Sequence, residues 1–291
     1  FIVNNVGSVS SILKDKDYEL LNWQKNTKML FKIIENGDLV IIDSYLTQSH
    51  LYKKIANKVK KVVCIDDNMR INYPEGTIVN GLIYAKELDY PDNDDTSYLL
   101  GTEYQPLRQD FWDIPQKSLN NEVKSILITL GGEDLRNLAI PILEGLQEDF
   151  PDIKKYITIG QNFTNSEQIK DLVDNNTKLI FAPDAQKMLK AMLEADIAIS
   201  SGGQTLYELA RVGVPTMAIS VIDNQEHNVL ALEEKEAILN LGHYNDSQLI
   251  NTIYNGVQYF LNKETRQKYS DTGKSIIDGN GSRRVIDYLL E

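Results

Sequence analysis

One cysteine and three histidines in 291 residues leave little room for several kinds of chemistry. Cys64, inside the apolar run Val62-Val63-Cys64-Ile65, has no partner for an intrachain disulfide, and a chain so poor in cysteine fits a reducing compartment, here expected to be the cytoplasm. His50, His227 and His243 are scattered, without a Cys/His cluster or a His-x-x-x-His pair, so a dedicated zinc site is not expected. No apolar run approaches the ~20 residues that span a bilayer, and membrane insertion is not expected either. Positive charge is short as well. Thirty Lys and Arg stand against 42 Asp and Glu, and the net charge of −12 argues against nucleic-acid binding, which needs cations to neutralise phosphates. A diphosphate ligand survives that objection, because backbone N–H groups and helix N-termini hold phosphate without net charge.

Strand-like and helix-like segments alternate along the whole chain. In the first part, strands are expected at 1–3, 39–42, 61–65, 77–79 and 98–100, with helices at 28–36 and 51–59. Leu39-Val40-Ile41-Ile42 is continuously apolar, the pattern of a strand covered on both faces. Pro115 and the polar stretch 116–121 read as a linker, which gives domains of 1–115 and 116–291. Beyond it come a strand at 125–130, a helix at 135–149, and further elements at 155–159, 169–174, 179–181 and 185–194. Helices at 247–262 and 283–290 close the chain, the last a candidate to pack back on the first domain. Two consecutive open α/β domains follow from this order.

The most informative stretch is 196–228. An apolar run, Ile197-Ala198-Ile199, leads into Ser200-Ser201-Gly202-Gly203, then a helix from Thr205 to the stop at Gly213-Val214-Pro215, then a second apolar run from Thr216 to Val221. That is a strand–loop–helix–strand unit of a parallel sheet, with small residues where helix amides can hold an anion. A second such loop follows the strand at 125–130, as Gly131-Gly132-Glu133-Asp134. Glycines there let a phosphate or sugar approach the backbone, although a lone pair of glycines also makes an ordinary tight turn. Thr205-Leu206-Tyr207-Glu208 fits the S/T-x-x-E capping box, and Glu208 equally suits a carboxylate accepting both hydroxyls of a ribose. Asn224 and Gln225 are either a polar loop or ligands of a sugar. In the first half, Asp43-Ser44-Tyr45 and Asp66-Asp67 follow buried strands, as helix caps or at the mouth of a crevice. Tyr104 to Phe111, with Arg108, reads most simply as docking the linker, Phe111 and Trp112 being buried.

Taken in order, these pieces resemble the family of UDP-2,4-diacetamido-2,4,6-trideoxy-β-L-altropyranose hydrolases of pseudaminic acid biosynthesis, with relatives in spore-coat polysaccharide synthesis. That family is similar in fold to the GlcNAc transferase that makes lipid II. The matching residues are Ile42-Asp43-Ser44-Tyr45, Ile65-Asp66-Asp67, Tyr104 with Leu107-Arg108 and Phe111, Gly131-Gly132 with Asp134, Ser201-Gly202-Gly203 through Glu208, and Asn224-Gln225. The resemblance implies two Rossmann-like α/β domains of GT-B type with a cleft between them. It implies UDP-sugar binding at Gly131, Gly132, Asp134, Ser201, Gly202, Gly203, Thr205 and Glu208, with Tyr45, Asn224 and Gln225 as the catalytic, sugar-facing residues. The implied reaction is inverting attack of water on the anomeric carbon with loss of UDP, without metal or cofactor. The family also carries a first strand and a Gly-x-Gly-His loop ahead of the point matching Phe1. The first domain is therefore expected to lack its first strand, and this chain to bind UDP but turn over slowly. A glycosyltransferase using a UDP-sugar donor is the alternative, and a non-catalytic UDP-sugar-binding fragment the third reading.

Overall fold

Strands of five or six residues, several of them continuous apolar runs, form the two larger parallel sheets of the computed structural model, one in each half. It describes residues 1–4, 13, 16–35, 37 and 39–291, in two compact units, Phe1–Gly101 and Thr102–Glu291.

The first unit opens with a two-stranded parallel pair, β1 (Ile2–Val3) and β2 (Glu19–Leu20). After α1 (Thr27–Ile34) come β3 (Leu39–Asp43), α2 (Ser49–Ala56), β4 (Lys61–Ile65), β5 (Gly76–Asn80) and β6 (Thr96–Leu100). Strands β3 to β6 form one parallel sheet in chain order. Leu30 and Ile34 of α1 and Leu51, Tyr52 and Ile55 of α2 bury against Ile42, Val62, Cys64 and Ile78. The expected end of α1 at residue 36 lies outside the described residues. One expectation is corrected: β3 is not covered on both faces, since Leu39 and Ile41 are 37% and 50% exposed while Ile42 is buried. It is the outer strand of the described sheet, and its exposure alternates as it does when one face is covered.

The second unit contains β7 (Ser125–Thr129), α3 (Ala139–Asp149), β8 (Lys154–Ile159), α4 (Ser166–Asp171), β9 (Thr177–Phe181), α5 (Ala185–Glu194), β10 (Ile197–Ser201), α6 (Thr205–Val212), β11 (Thr216–Ser220), α7 (Glu226–Glu234), β12 (Leu239–His243), α8 (Leu249–Phe260), α9 (Lys263–Ile276) and α10 (Gly281–Leu290). Its six parallel strands lie in the order β12-β11-β10-β7-β8-β9. The chain thus builds outward from β7 in one direction, then returns to its other side with β10. In open α/β sheets such a reversal leaves a crevice at the carboxyl ends of the two central strands. Every residue of β7, β10 and β11 is buried, as a sheet covered on both faces demands. Helix α6 stops where the sequence predicts: Gly213 adopts φ +79°, and the Gly213 and Val214 amides both return to the Leu209 carbonyl. Helix α10 packs on the 3₁₀ turn Thr102–Tyr104 that starts this unit.

Candidate functional site

The reversal of strand order places the loops after β7 and β10 side by side. A Cβ added to Gly131, which sits at φ +84°, would lie 3.8 Å from the Ser201 hydroxyl, whereas one added to Gly132 would meet nothing within 4 Å. Gly132 is therefore open on its Cβ side, while its carbonyl packs against Gly160 and accepts from the Asn162 N–H. The Gly202 backbone is fixed by two amide side chains. Its N–H donates to Gln225 Oε1 at 3.1 Å, and its carbonyl accepts from Asn228 Nδ2 at 2.9 Å. Gln225 Oε1 also accepts from the Val221 N–H at 3.1 Å, which ties the β10 loop to the end of β11. Asn228, in turn, accepts from the buried Tyr207 hydroxyl. The packing leaves no room for a side chain: a Cβ on Gly202 would come within 2.7 Å of Val229 Cγ2.

Three candidates stand in roles that their sequence context did not specify. Asp134 is buried, and its carboxylate accepts from the Leu138 and Ala139 N–H groups and from Asn165 Nδ2. It caps α3, which therefore starts at Ala139 and not at 135; Asp134 and Asn137 take positive φ in the intervening turn. The capping box at Thr205 does not form. The residue before the helix is Gln204, already at φ −52° and ψ −31°, so Thr205 lies inside the helix and cannot cap it. Glu208 turns instead to Arg108, which donates from Nε to Oε1 and from Nη2 to Oε2, both at 2.7 Å. Gln225, expected to face a sugar, has its carbonyl oxygen committed to the loop backbone. Asn224 is exposed in the 3₁₀ turn Asp223–Gln225, and Gly203 and Thr205 are half-buried at the start of α6. Phe111 is buried as expected, but Trp112 only half so.

In the first unit the ends of β3 and β4 make a small pocket of about 50 Å³, lined by Asp43, Ser44, Tyr45, Ile65, Asp66, Asp67, Arg70 and Tyr73. The Tyr45 hydroxyl donates to Asp67, and Arg70 Nη2 donates to the Ser44 and Thr47 carbonyls at 3.0 and 2.9 Å. Burial and the nearby Asp67 carboxylate push the Asp43 carboxyl above its ordinary value; burial does the same for Asp67, and for the Tyr45 phenol together with its bond to Asp67. Asp66 caps no helix. Its carboxylate accepts from the Met69 N–H and from the Tyr73 and Tyr90 hydroxyls, which holds a turn together. Among the described residues no group of three or more His, Cys, Asp or Glu is arranged to hold a metal, and no helix is long and apolar enough to cross a membrane. Sequence spacing had no means of showing the Arg108–Glu208 pair, 100 residues apart, or the buried Tyr207–Asn228 pair.

Two Rossmann-like parallel α/β units, with paired loops at a switch point, define the GT-B class. Among solved structures the chain is similar to MurG of Acinetobacter baumannii, with a TM-score of 0.67 over 99% of this chain and 90% of that one at 16% identity. It is also similar to the UDP-GlcNAc 2-epimerase of Neisseria meningitidis bound to UDP-GlcNAc, with a TM-score of 0.62 over 97% and 88% at 17% identity. Residues 125–279 match the glycosyltransferase family 28 C-terminal domain, and the chain belongs to that family. Its relatives include the spore coat polysaccharide biosynthesis protein SpsG of Bacillus subtilis, 25% identical over 87% of this chain and 76% of that protein. The pseudaminic acid cytidylyltransferase and UDP-2,4-diacetamido-2,4,6-trideoxy-β-L-altropyranose hydrolase of Helicobacter pylori is 29% identical over 70% of this chain. An uncharacterised protein of Methanocaldococcus jannaschii is 26% identical over 75%. The chain spans 38% and 48% of the lengths of these last two relatives.

Proposed function

We propose that this chain binds a UDP-linked sugar and releases UDP from it by hydrolysis. The observation that carries the reading is the pair of glycine loops at the switch point, with Gly132 open to approach and α6 beginning beside Ser201-Gly202-Gly203. Backbone N–H groups there would hold the diphosphate, which suits a chain of net charge −12. Gly131, Gly132, Ser201, Gly203 and Thr205 are the diphosphate candidates, Gly202 shaping the loop with its own N–H bonded to Gln225 Oε1 and the Ile219 carbonyl, and Glu208 is the candidate acceptor for the ribose hydroxyls. Asp134 serves the same loop by fixing the turn that follows it. Tyr45, Asn224 and Gln225 are the sugar-facing candidates. In the reaction a water oxygen bonds to the anomeric carbon as the bond to the UDP oxygen breaks, and UDP leaves with that electron pair. The water's proton needs an acceptor, and within this chain Asp43 and His227 are the residues to mutate first.

The second reading is a glycosyltransferase of the same fold, favoured by the family 28 match, in which a hydroxyl replaces water. Calorimetry with UDP, other nucleotides and NAD tests the ligand; tight NAD binding with none of UDP overturns it. Product analysis then separates the reactions. Free sugar and UDP in the absence of any acceptor indicate hydrolysis, whereas turnover only with an added acceptor indicates transfer.

A further inference from the structure

The loop after β8 stands close enough to the loop after β7 to set how that loop is turned. A Cβ added to Gly160 would lie 2.1 Å from the Gly132 carbonyl oxygen and 2.5 Å from its carbonyl carbon, so only glycine fits there. Two residues on, Asn162 holds the same place twice. Its N–H donates to the Gly132 carbonyl at 3.3 Å, and its Nδ2 donates to Glu133 Oε1 at 3.1 Å. The peptide between Gly132 and Glu133 is trans, and in a trans peptide the carbonyl and the following N–H point opposite ways. With the Gly132 carbonyl turned to the β8 loop, the Glu133 N–H faces away from it. Strand β7 lies between β8 and β10, so that direction is the side of Ser201-Gly202-Gly203. Among the described residues the Glu133 N–H has no acceptor.

We infer that Gly160 and Asn162 are positioning residues for the diphosphate: they turn the Glu133 N–H toward it and hold the Glu133 carboxylate off it. The inference rests on the uridine diphosphate reading above. The two ends of Glu133 have opposite effects on an anion. Its N–H is a donor, whereas its carboxylate is a like charge, and one unit charge at about 4 Å in water changes an affinity by ~fivefold. A glutamate beside a diphosphate therefore needs its side chain turned aside. Asn162 suits that task, because its neutral amide bonds the carboxylate without bringing a cation that would itself attract the ligand. Gly160 suits the other, because any side chain there would push on the Gly132 carbonyl and rotate the rigid peptide with it.

The test is binding of UDP and of uridine to the full chain, by calorimetry for UDP and saturation-transfer NMR for the nucleoside, comparing the wild type with G160A, N162A, E133Q and N162A/E133Q. G160A is expected to lose at least ~tenfold in UDP affinity while uridine changes by less than about twofold. N162A is expected to lose about three- to fivefold for UDP alone, and the double variant to regain it, since without the charge Asn162 has nothing to hold aside. Thermal melts run alongside, and the N162A and E133Q cycle carries the test if G160A does not fold. A folded G160A that keeps its UDP affinity, or that weakens UDP and uridine alike, overturns the role of Gly160. No loss in N162A, or a loss that persists in the E133Q background, overturns that of Asn162. Either result leaves the uridine diphosphate reading standing. A wild type that binds uridine as tightly as UDP takes the diphosphate out of this loop and overturns the inference as a whole. A wild type that does not bind UDP overturns the uridine diphosphate reading itself.

Discussion

Gly202 and Gly132 lie in neighbouring loops, yet a methyl group would meet very different surroundings at each. On Gly202 it would come within 2.7 Å of Val229 Cγ2 and 2.9 Å of Gln225 Cβ. G202A is therefore expected to destabilise the chain by about 1–3 kcal/mol, the range for overpacking, as read by urea unfolding. On Gly132 the same methyl projects into open space. G132A should leave stability within about 0.5 kcal/mol and yet cost at least ~tenfold in UDP affinity, because the diphosphate would approach that backbone. Unchanged affinity in a stable G132A variant would move the diphosphate away from this loop. Asp43 gives a prediction with a sign in pH. Its carboxyl is raised above 3.8 in the folded chain, chiefly by burial and then by Asp67. A group so raised favours the native state fully below pH 3.8, and that contribution is lost as pH rises through the higher folded value. D43N removes a carboxylate that is unfavourably placed when ionised, so it should raise the melting temperature at pH 7 and lose that advantage near pH 4. Equal gains at both pH values would disconnect the effect from ionisation.

At the scale of the element, Asp134 does for α3 what spacing suggests Thr205 should do for α6. Its removal in D134A strips the caps from the Leu138 and Ala139 N–H groups and leaves Asn165 Nδ2 without its acceptor. Cap loss costs about 0.5–2 kcal/mol, and an orphaned buried donor about 1–3. At about 2–4 °C per kcal/mol in a unit of this size, a drop of several degrees should be plain by calorimetry. A shift under a degree would show that water replaces the carboxylate. The strands β7 and β10 and the loops after them were legible because they are continuous apolar runs ending in glycine. Helix α9 was not, because it buries Arg266, Ser270 and Gly273 alongside Tyr269, so its covered face carries little apolar periodicity. Helix α7 hides for a related reason, with the polar Asn228 buried to serve Gly202. Strand β12 contains Gly242 at φ +87° and polar Asn240, neither of which reads as a strand residue. Periodicity reports elements whose burial is apolar, and it passes over those held by polar contacts. The ion pair at Glu208 belongs to the same class, joining residues whose separation carries no local signal.

For the molecule as a whole, charge poses the sharpest question. A chain of net charge −12 is proposed to hold an anionic diphosphate, so the long-range field should oppose binding. At about 10 mM salt that field reaches ~30 Å, and at about 150 mM only ~8 Å. The proposed cradle is built of backbone dipoles within hydrogen-bond reach, which salt screens far less than it screens distant charges. Affinity for UDP should consequently rise with salt, by about two- to fivefold between those concentrations, opposite to the trend of a cationic phosphate site. Calorimetric titration in sodium chloride, free of competing phosphate or sulfate, measures it. A fall of about tenfold would mean that cationic side chains carry the diphosphate. Arg136 would then be the first to test, since it stands four residues beyond Gly132 with its guanidinium 4.0 Å from the centre of the Tyr244 ring and its Nε bonded to the Val221 carbonyl. If R136A abolished such a fall, the phosphate contacts would belong to that side chain and the glycine loops would only make room for it.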